Sequence, residues 1–178
     1  MVRSDRGRSW GWCGDVRDVA VTAGARAGAP SRGDVPEVDA FTRPYWDAAA
    51  EGRLLLRRCR TEGGGCGAVH HYPREFCPYC WGEDVEWVAA SGRATLYTWS
   101  VVHRNDLPPF GGRVPYVAAV VELAEGPRMM TEVVGCGEGE DALRIGMPLM
   151  VAFRPAETQG DGPGEGGRPF AVPVFRPA

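Results

Sequence analysis

Cys59-Arg60-Thr61-Glu62-Gly63-Gly64-Gly65-Cys66 and, further on, Cys77-Pro78-Tyr79-Cys80 decide how this 178-residue chain is read. Two cysteine pairs within 22 residues describe two facing turns, each aiming its thiolates at one point. Facing turns of this kind build a tetrahedral soft-ligand cage, suited to zinc or iron. With Cys59, Cys66, Cys77 and Cys80 all filling positions, the ion has no open site for substrate, so the expected cofactor is a structural Zn2+. Two disulfides are the alternative, and Cys-x-x-Cys argues against them because it closes a strained ring.

The first pair is wider than a compact knuckle. Removing Glu62 to Gly65 leaves Cys-Arg-Thr-Cys-Gly, so these four residues read as an insertion into the turn. Three glycines supply the positive-φ conformations that bring its ends together. His70 and His71 are the substitute ligands should Cys59 drop out.

Working outward on the N-terminal side, Thr42-Arg43-Pro44 predicts a helix start, with Thr42 or Arg43 as cap and Pro44 in the first turn. The helix runs to Glu51 and Gly52 stops it. Two turns are not stable alone, so Tyr45, Trp46 and Ala49 need something to pack on, the chain's own ribbon or a partner. Arg53 to Arg58 is the strand into the first knuckle and Ala68 to Tyr72 the return strand. Residues 1–38 carry balanced charge, many Gly and Ala and no sustained periodicity, and read as a disordered extension.

On the C-terminal side the texture becomes all-β from Gly92. Arg93 to His103 alternates Thr95, Tyr97, Trp99 and Val101 against Ala94, Leu96, Thr98, Ser100 and Val102, a strand with two faces. A Pro- and Gly-rich loop, Asn105 to Pro115, carries Phe110 at its tip. Strands follow at Tyr116 to Leu123, Arg128 to Val134, Leu149 to Phe153 and Phe170 to Phe175, with a helical connection at Asp141 to Gly146. Five strands with a helix between the third and fourth have the rhythm of an OB barrel. The reading is a mainly β chain: extension 1–38, helix plus rubredoxin-like zinc ribbon 39–90, five-stranded OB-fold barrel 91–178.

Composition narrows the function. All 20 basic residues are arginine. Without an ε-amino group there is no Schiff-base catalysis, no lysine-anchored pyridoxal phosphate and no Walker-type phosphate loop. Ribbons and OB barrels often bind nucleic acid, the rival reading. Residues 51–87 hold five Arg against six acidic residues, and residues 92–154 six against seven. Neither has the basic surplus that phosphate neutralisation requires. The serines lack nucleophile-elbow glycines, and His103 reads as a solvated strand-end residue. No self-sufficient active site emerges. No apolar run reaches the ~20 residues of a membrane span. A reducing, cytoplasmic compartment is expected, with Cys13 and Cys136 as free thiols.

Phe41-Thr42-Arg43-Pro44-Tyr45-Trp46, Glu51-Gly52, Cys66-Gly67, Pro73-Arg74, Cys77-Pro78-x-Cys80, Glu86-Trp87, Ser91-Gly92, Pro115-Tyr116, Glu122 to Gly126, Ile145-Gly146-Met147 and Pro173 to Pro177 complete the pattern. Together they resemble the zinc-ribbon/OB-fold proteins associated with acyl-CoA, long catalogued as a domain of unknown function. The likeness covers residues ~40–178, and Cys-x-x-Cys alone would not carry it. It implies an accessory, non-catalytic subunit in a hetero-oligomer with a thiolase-like enzyme (thiolase, acyl-CoA aldolase or condensing enzyme), with acyl-CoA at the interface. The alternatives are a subunit of a hot-dog-fold enoyl-CoA hydratase or a stand-alone acyl-CoA binder. Tyr45, Trp46 and Phe110 are the expected partner-contact residues.

Overall fold

The computed structural model describes residues 38–107, 110–136, 142–156 and 170–178. Helix α1, Arg43–Ala50, starts where Thr42 caps it and Pro44 occupies the first turn. The Thr42 side chain does not cap the helix itself. Instead Asp39 accepts hydrogen bonds from the Thr42 backbone N–H, at 2.6 Å, and from its hydroxyl, at 2.7 Å. Those bonds hold the Asp39 carboxyl below its ordinary pKa. Past the helix end, Gly52 turns left-handed at φ +78°, and the chain reverses into the ribbon.

Three short strands form the ribbon sheet: β1, Leu55–Cys59, lies between β2, Val69–His70, and β3, Val85–Ala89, both antiparallel to it. The return strand is shorter than the sequence suggests, and β3, which pairs with all of β1, is a strand the sequence does not announce. Val85-Glu86-Trp87-Val88-Ala89 is only half-buried on every residue but the last, which is exposed, so it shows no inside–outside alternation to read.

Strands β4 (Arg93–Val102), β5 (Tyr116–Leu123), β6 (Arg128–Val133), β7 (Pro148–Ala156) and β8 (Phe170–Pro177) close a barrel in the order β4-β5-β6-β8-β7. All pairings are antiparallel except β6 with β8, which run parallel. This is the five-stranded OB arrangement. The expected helix between the third and fourth strands falls partly outside the described residues; residues 143–147 form a turn around Gly146 at φ +81°.

The faces of β4 depart from simple alternation. Leu96 pairs with Val121 but Thr98 pairs with Val120, so Tyr97 is an extra, bulged residue. Ala94 and Leu96 point inward before the bulge, Trp99 and Val101 after it, while Tyr97 is 44% exposed beneath the Arg128 guanidinium at 3.6 Å. Tyr97 and Trp99 therefore do not share a face, contrary to the period-two reading.

The core runs through both modules. Leu96, Val117, Val121, Val133, Leu149 and Phe175 fill the barrel, and Tyr45, Leu54 and Leu56 join the same cluster from the helix and ribbon side. Each such side chain contributes about 1.5–3 kcal/mol by leaving water. Helix α1 lies against β8, where Trp46 meets Phe170 with ring centroids 4.7 Å apart. Two turns of helix hold because they are packed on the barrel.

Candidate metal centre

Strand β1 delivers Cys59 at its last residue, buried, and the second knuckle delivers Cys77, also buried; Cys66 and Cys80 complete the group from the exposed side. The four Sγ atoms lie within 4.8 Å of one another. Cys59 and Cys80 are 3.6 Å apart, Cys66 and Cys77 3.5 Å. A zinc ion bonding sulfur at about 2.3 Å sets tetrahedral S···S edges of about 3.8 Å. Both contacts are close to that edge, the widest pair, at up to 4.8 Å, closes by about 1 Å around the ion, and all four ligands come from protein. This is a structural zinc site of the closed type.

The insertion closes by a steric route that tolerates one residue type. A Cβ placed on Gly65 would stand 2.1 Å from the Arg60 carbonyl oxygen and 2.5 Å from the Cys59 sulfur. Gly64 and Gly67 sit at φ +84° and +74°. Glycine at 65 is what lets the loop fold back over Cys59. Arg60 and Arg58 brace the same end of β1 through Glu86, at 3.0 and 2.5 Å, across the sheet on β3.

The thiols are held unequally. Donation from the Gly82 backbone N–H, helped by that of Cys66, pulls the Cys80 thiol down to about 6. Burial pushes the Cys59 thiol up. Cys80 is thus the readiest thiol to ionise for the arriving dication, and Cys59 gives up its proton less easily.

His70 and His71 are not part of this group. His70 is 2% exposed on β2, opposite Arg57, and His71 packs between Tyr45 and Tyr72. Arg57 itself is buried, with Phe41 and Trp87 rings 5.4 and 4.7 Å from its guanidinium, which donates to the Arg74 and Val85 carbonyls.

The expected contact residues fall differently. Tyr45 is 5% exposed and belongs to the chain's own core, so it is not available as a contact anchor. Trp46 is half-buried, edge-on to Tyr45 and against Phe170. The sequence could not show that β8, at the far end of the chain, supplies Phe170 for Trp46, while Tyr45 packs on Trp46 and on His71 of the ribbon. Phe110 is half-buried in a single 3-10 turn, Phe110–Arg113, tilted on Tyr116 with the Arg113 guanidinium over both rings. His103 is exposed just past the end of β4. Cys136, expected as a free thiol, is disulfide-bonded, and Cys13 lies outside the described residues, as does the whole extension up to residue 37.

The chain matches two family descriptions in succession: the rubredoxin-like zinc ribbon domain of ChsH2 over residues 46–86 and the ChsH2 C-terminal OB-fold domain over residues 87–154. It belongs to this zinc-ribbon/OB-fold family. A DUF35 domain-containing scaffold protein of Methanocaldococcus jannaschii is 38% identical over 61% of this chain and 72% of its own length. Benzoylsuccinyl-CoA thiolase subunit BbsA of Thauera aromatica is 31% identical over 56% of this chain and 67% of its own. A probable enoyl-CoA hydratase alpha subunit of Thermomonospora curvata is 33% identical over 80% of this chain, which spans only 39% of that relative. Among solved structures, the Ltp2-ChsH2(DUF35) aldolase includes a chain 32% identical, superposing with a TM-score of 0.61 over 80% of this chain and 98% of that one.

Trp81 is a functional candidate that sequence reasoning missed. Its signal is present in the sequence, as the residue after the second cysteine of a knuckle, where the first knuckle has Gly67.

Among the described residues, no helix is long and apolar enough to cross a membrane.

Proposed function

We propose that this chain is a non-catalytic accessory subunit that assembles with a thiolase-like enzyme and supports its reaction on an acyl-CoA. One observation carries the reading. The ribbon and barrel together match a chain of the Ltp2-ChsH2(DUF35) aldolase over 98% of that chain, so the likeness takes in the whole unit. The closed four-cysteine cage supports it, because a zinc with four protein ligands has no position left for substrate. The absence of lysine removes the amine-based chemistries.

Phe110 and the loop around it, at the open end of β4 and β5, are the part of the barrel proposed to reach the enzyme. The exposed Leu107 beside it extends the apolar surface. The four ribbon thiols favour a reducing, cytoplasmic compartment.

A second reading, a subunit of an enoyl-CoA hydratase, is favoured by the 33% identity to the Thermomonospora curvata protein. The two are separated by co-expression with thiolase-fold and with hot-dog-fold enzymes of the source genome, followed by size exclusion and acyl-CoA turnover. The expected result is a stable complex with a thiolase-fold enzyme, whose turnover rises, and no turnover by the chain alone. Turnover of an acyl-CoA by the purified chain would overturn the accessory reading.

A further inference from the structure

The two knuckles share one backbone plan, and comparing them singles out a residue. The Cys59 N–H donates to the Ala68 carbonyl at 2.9 Å, and the Cys77 N–H donates to the Gly82 carbonyl at 2.8 Å. The first bond spans four more residues than the second, the length of Glu62–Gly65. Cys66 therefore corresponds to Cys80, and Gly67 to Trp81. The residue after the second cysteine is left-handed in both knuckles, at φ +74° for Gly67 and φ +64° for Trp81.

Glycine adopts that conformation freely, whereas a residue with a Cβ gives up roughly 1–2 kcal/mol. Trp81 is the only non-glycine residue at positive φ among the described residues. Its side chain does not recover the cost in the core. It is 73% exposed, stacked at 5.5 Å on the half-buried Phe76, with Tyr79, 64% exposed, in the same turn. A strained position occupied by a large outward-facing aromatic points to a use for the ring outside the chain.

The charge around it says what kind of surface it meets. Glu75, Glu83 and Asp84 are exposed on either side of the aromatic run, against one exposed arginine, Arg74. Four thiolates around a dication, one of them on Cys80 next to Trp81 in the chain, add a formal charge of about −2. Phosphate-bearing ligands, nucleic acid and the nucleotide end of CoA included, are repelled by such a tip. Arginine and lysine side chains are attracted, both by the carboxylates and by the exposed Trp81 and Tyr79 rings.

We propose that the second knuckle is a docking tip in which Trp81, Tyr79 and Phe76 form the apolar centre and Glu75 and Glu83 the rim. Its occupant is an arginine- or lysine-bearing patch on the thiolase-fold enzyme subunit. This rests on the accessory reading above.

Trp81→Gly tests it, because glycine keeps the turn and relieves its strain while removing the ring. The full chain is co-expressed with each thiolase-fold enzyme of the source genome in turn. The complex is then measured by calorimetry at low and high salt, alongside zinc content and urea midpoint. Wild type is expected to bind one enzyme, more weakly in high salt. Trp81→Gly is expected to keep its zinc and an equal or higher midpoint yet to bind more than about tenfold more weakly. Glu75→Arg with Glu83→Arg should weaken binding and remove much of the salt dependence. A zinc-loaded Trp81→Gly chain that binds like wild type overturns the docking tip and leaves the accessory reading standing. If Trp81→Gly loses zinc, Tyr79→Ala, at an unstrained position, decides by the same comparison. A wild-type chain that binds no thiolase-fold enzyme overturns the accessory reading and the docking tip with it.

Discussion

Trp46 on α1 and Phe170 on β8 pack with ring centroids 4.7 Å apart, and that contact joins the helix to the barrel's last strand. Tyr45 beside it is 5% exposed in the common core and meets Trp46 edge-on at 4.8 Å. Tyr45→Ala should cost the isolated chain about 3–5 kcal/mol, the range for deleting a buried aromatic. Trp46→Ala, half-buried, should cost less. Urea unfolding of the free protein checks both. A pair of variants with unchanged midpoints but a weakened complex would return these rings to a partner surface.

The second expectation concerns the ion. Chain purified without chelator should carry about one zinc, and Cys77→Ser should lose it together with the ribbon's fold, since binding free energy at such sites, on the order of 10 kcal/mol, is folding free energy. Elemental analysis and the loss of ribbon amide protection read the two effects. Metal-free protein with two stoichiometric disulfides among these cysteines would contradict the cage.

Gly65→Ala is a sharper probe of the insertion. Its new methyl would meet the Arg60 carbonyl at 2.1 Å and the Cys59 sulfur at 2.5 Å, both too fixed to step aside cheaply. Zinc affinity should fall by about one to two orders of magnitude, as when groups supporting a ligand are disturbed. Gly63→Ala is the control: its Cβ would find only an Asp84 carboxylate oxygen, at an ordinary 3.6 Å. Equal zinc affinity in the two variants would mean that the loop has another way to close.

These probes show which features were legible in the sequence. The cage was, because four cysteines at knuckle spacing constrain one another locally, and so was the helix start, written in Thr42 and Pro44. The barrel was legible as a count of strands bounded by turn residues. What escaped depends on partners far along the chain. The bulge at Tyr97 is defined by its register against Val120 and Val121, and no period within β4 announces it. Strand β3 lacks alternation because its residues are evenly half-covered. Trp46 finds Phe170 at the other end of the sequence and Tyr45 finds His71 in the ribbon, and no local pattern announces either contact. Trp81 could have been noticed from the knuckle pattern alone, but its strain is a matter of φ.

Acid should weaken the fold through His71. Burial, with His70 adjacent, pushes its pKa down to about 4 from 6.5, and neither ring nitrogen has a hydrogen-bond partner. The unfolded chain therefore binds a proton that the folded chain refuses between those values, so stability rises with pH across the window. The contribution is complete above about 6.5 and is lost as pH falls toward 4, on the order of 3 kcal/mol. His70, also lowered by burial and by Arg57 and Arg74, adds in the same direction. Urea midpoints from pH 7 to 5, with zinc content followed at each pH, should fall less steeply in His71→Phe than in wild type. Parallel curves would remove His71 from the account.

Arg57 gives the last expectation. It lies 7% exposed between Phe41 and Trp87, with Nε donating to the Arg74 carbonyl at 3.3 Å and Nη2 to the Val85 carbonyl at 3.1 Å. One planar group thus ties the β3 edge and the approach to the second knuckle to β1. Lysine keeps the charge, but its single ammonium cannot reach two divergent carbonyls while lying flat between two rings. Arg57→Lys should therefore cost about 1–3 kcal/mol, most of it from a buried acceptor left unpaired. Arg57→Met, which fills the volume and removes the charge, should cost a similar amount, because both carbonyls then lose their donor. If charge were what mattered, Lys would be tolerated and Met would not. Chemical denaturation of the two variants at neutral pH distinguishes these cases, and a lysine variant as stable as wild type would show that the planar fork is dispensable.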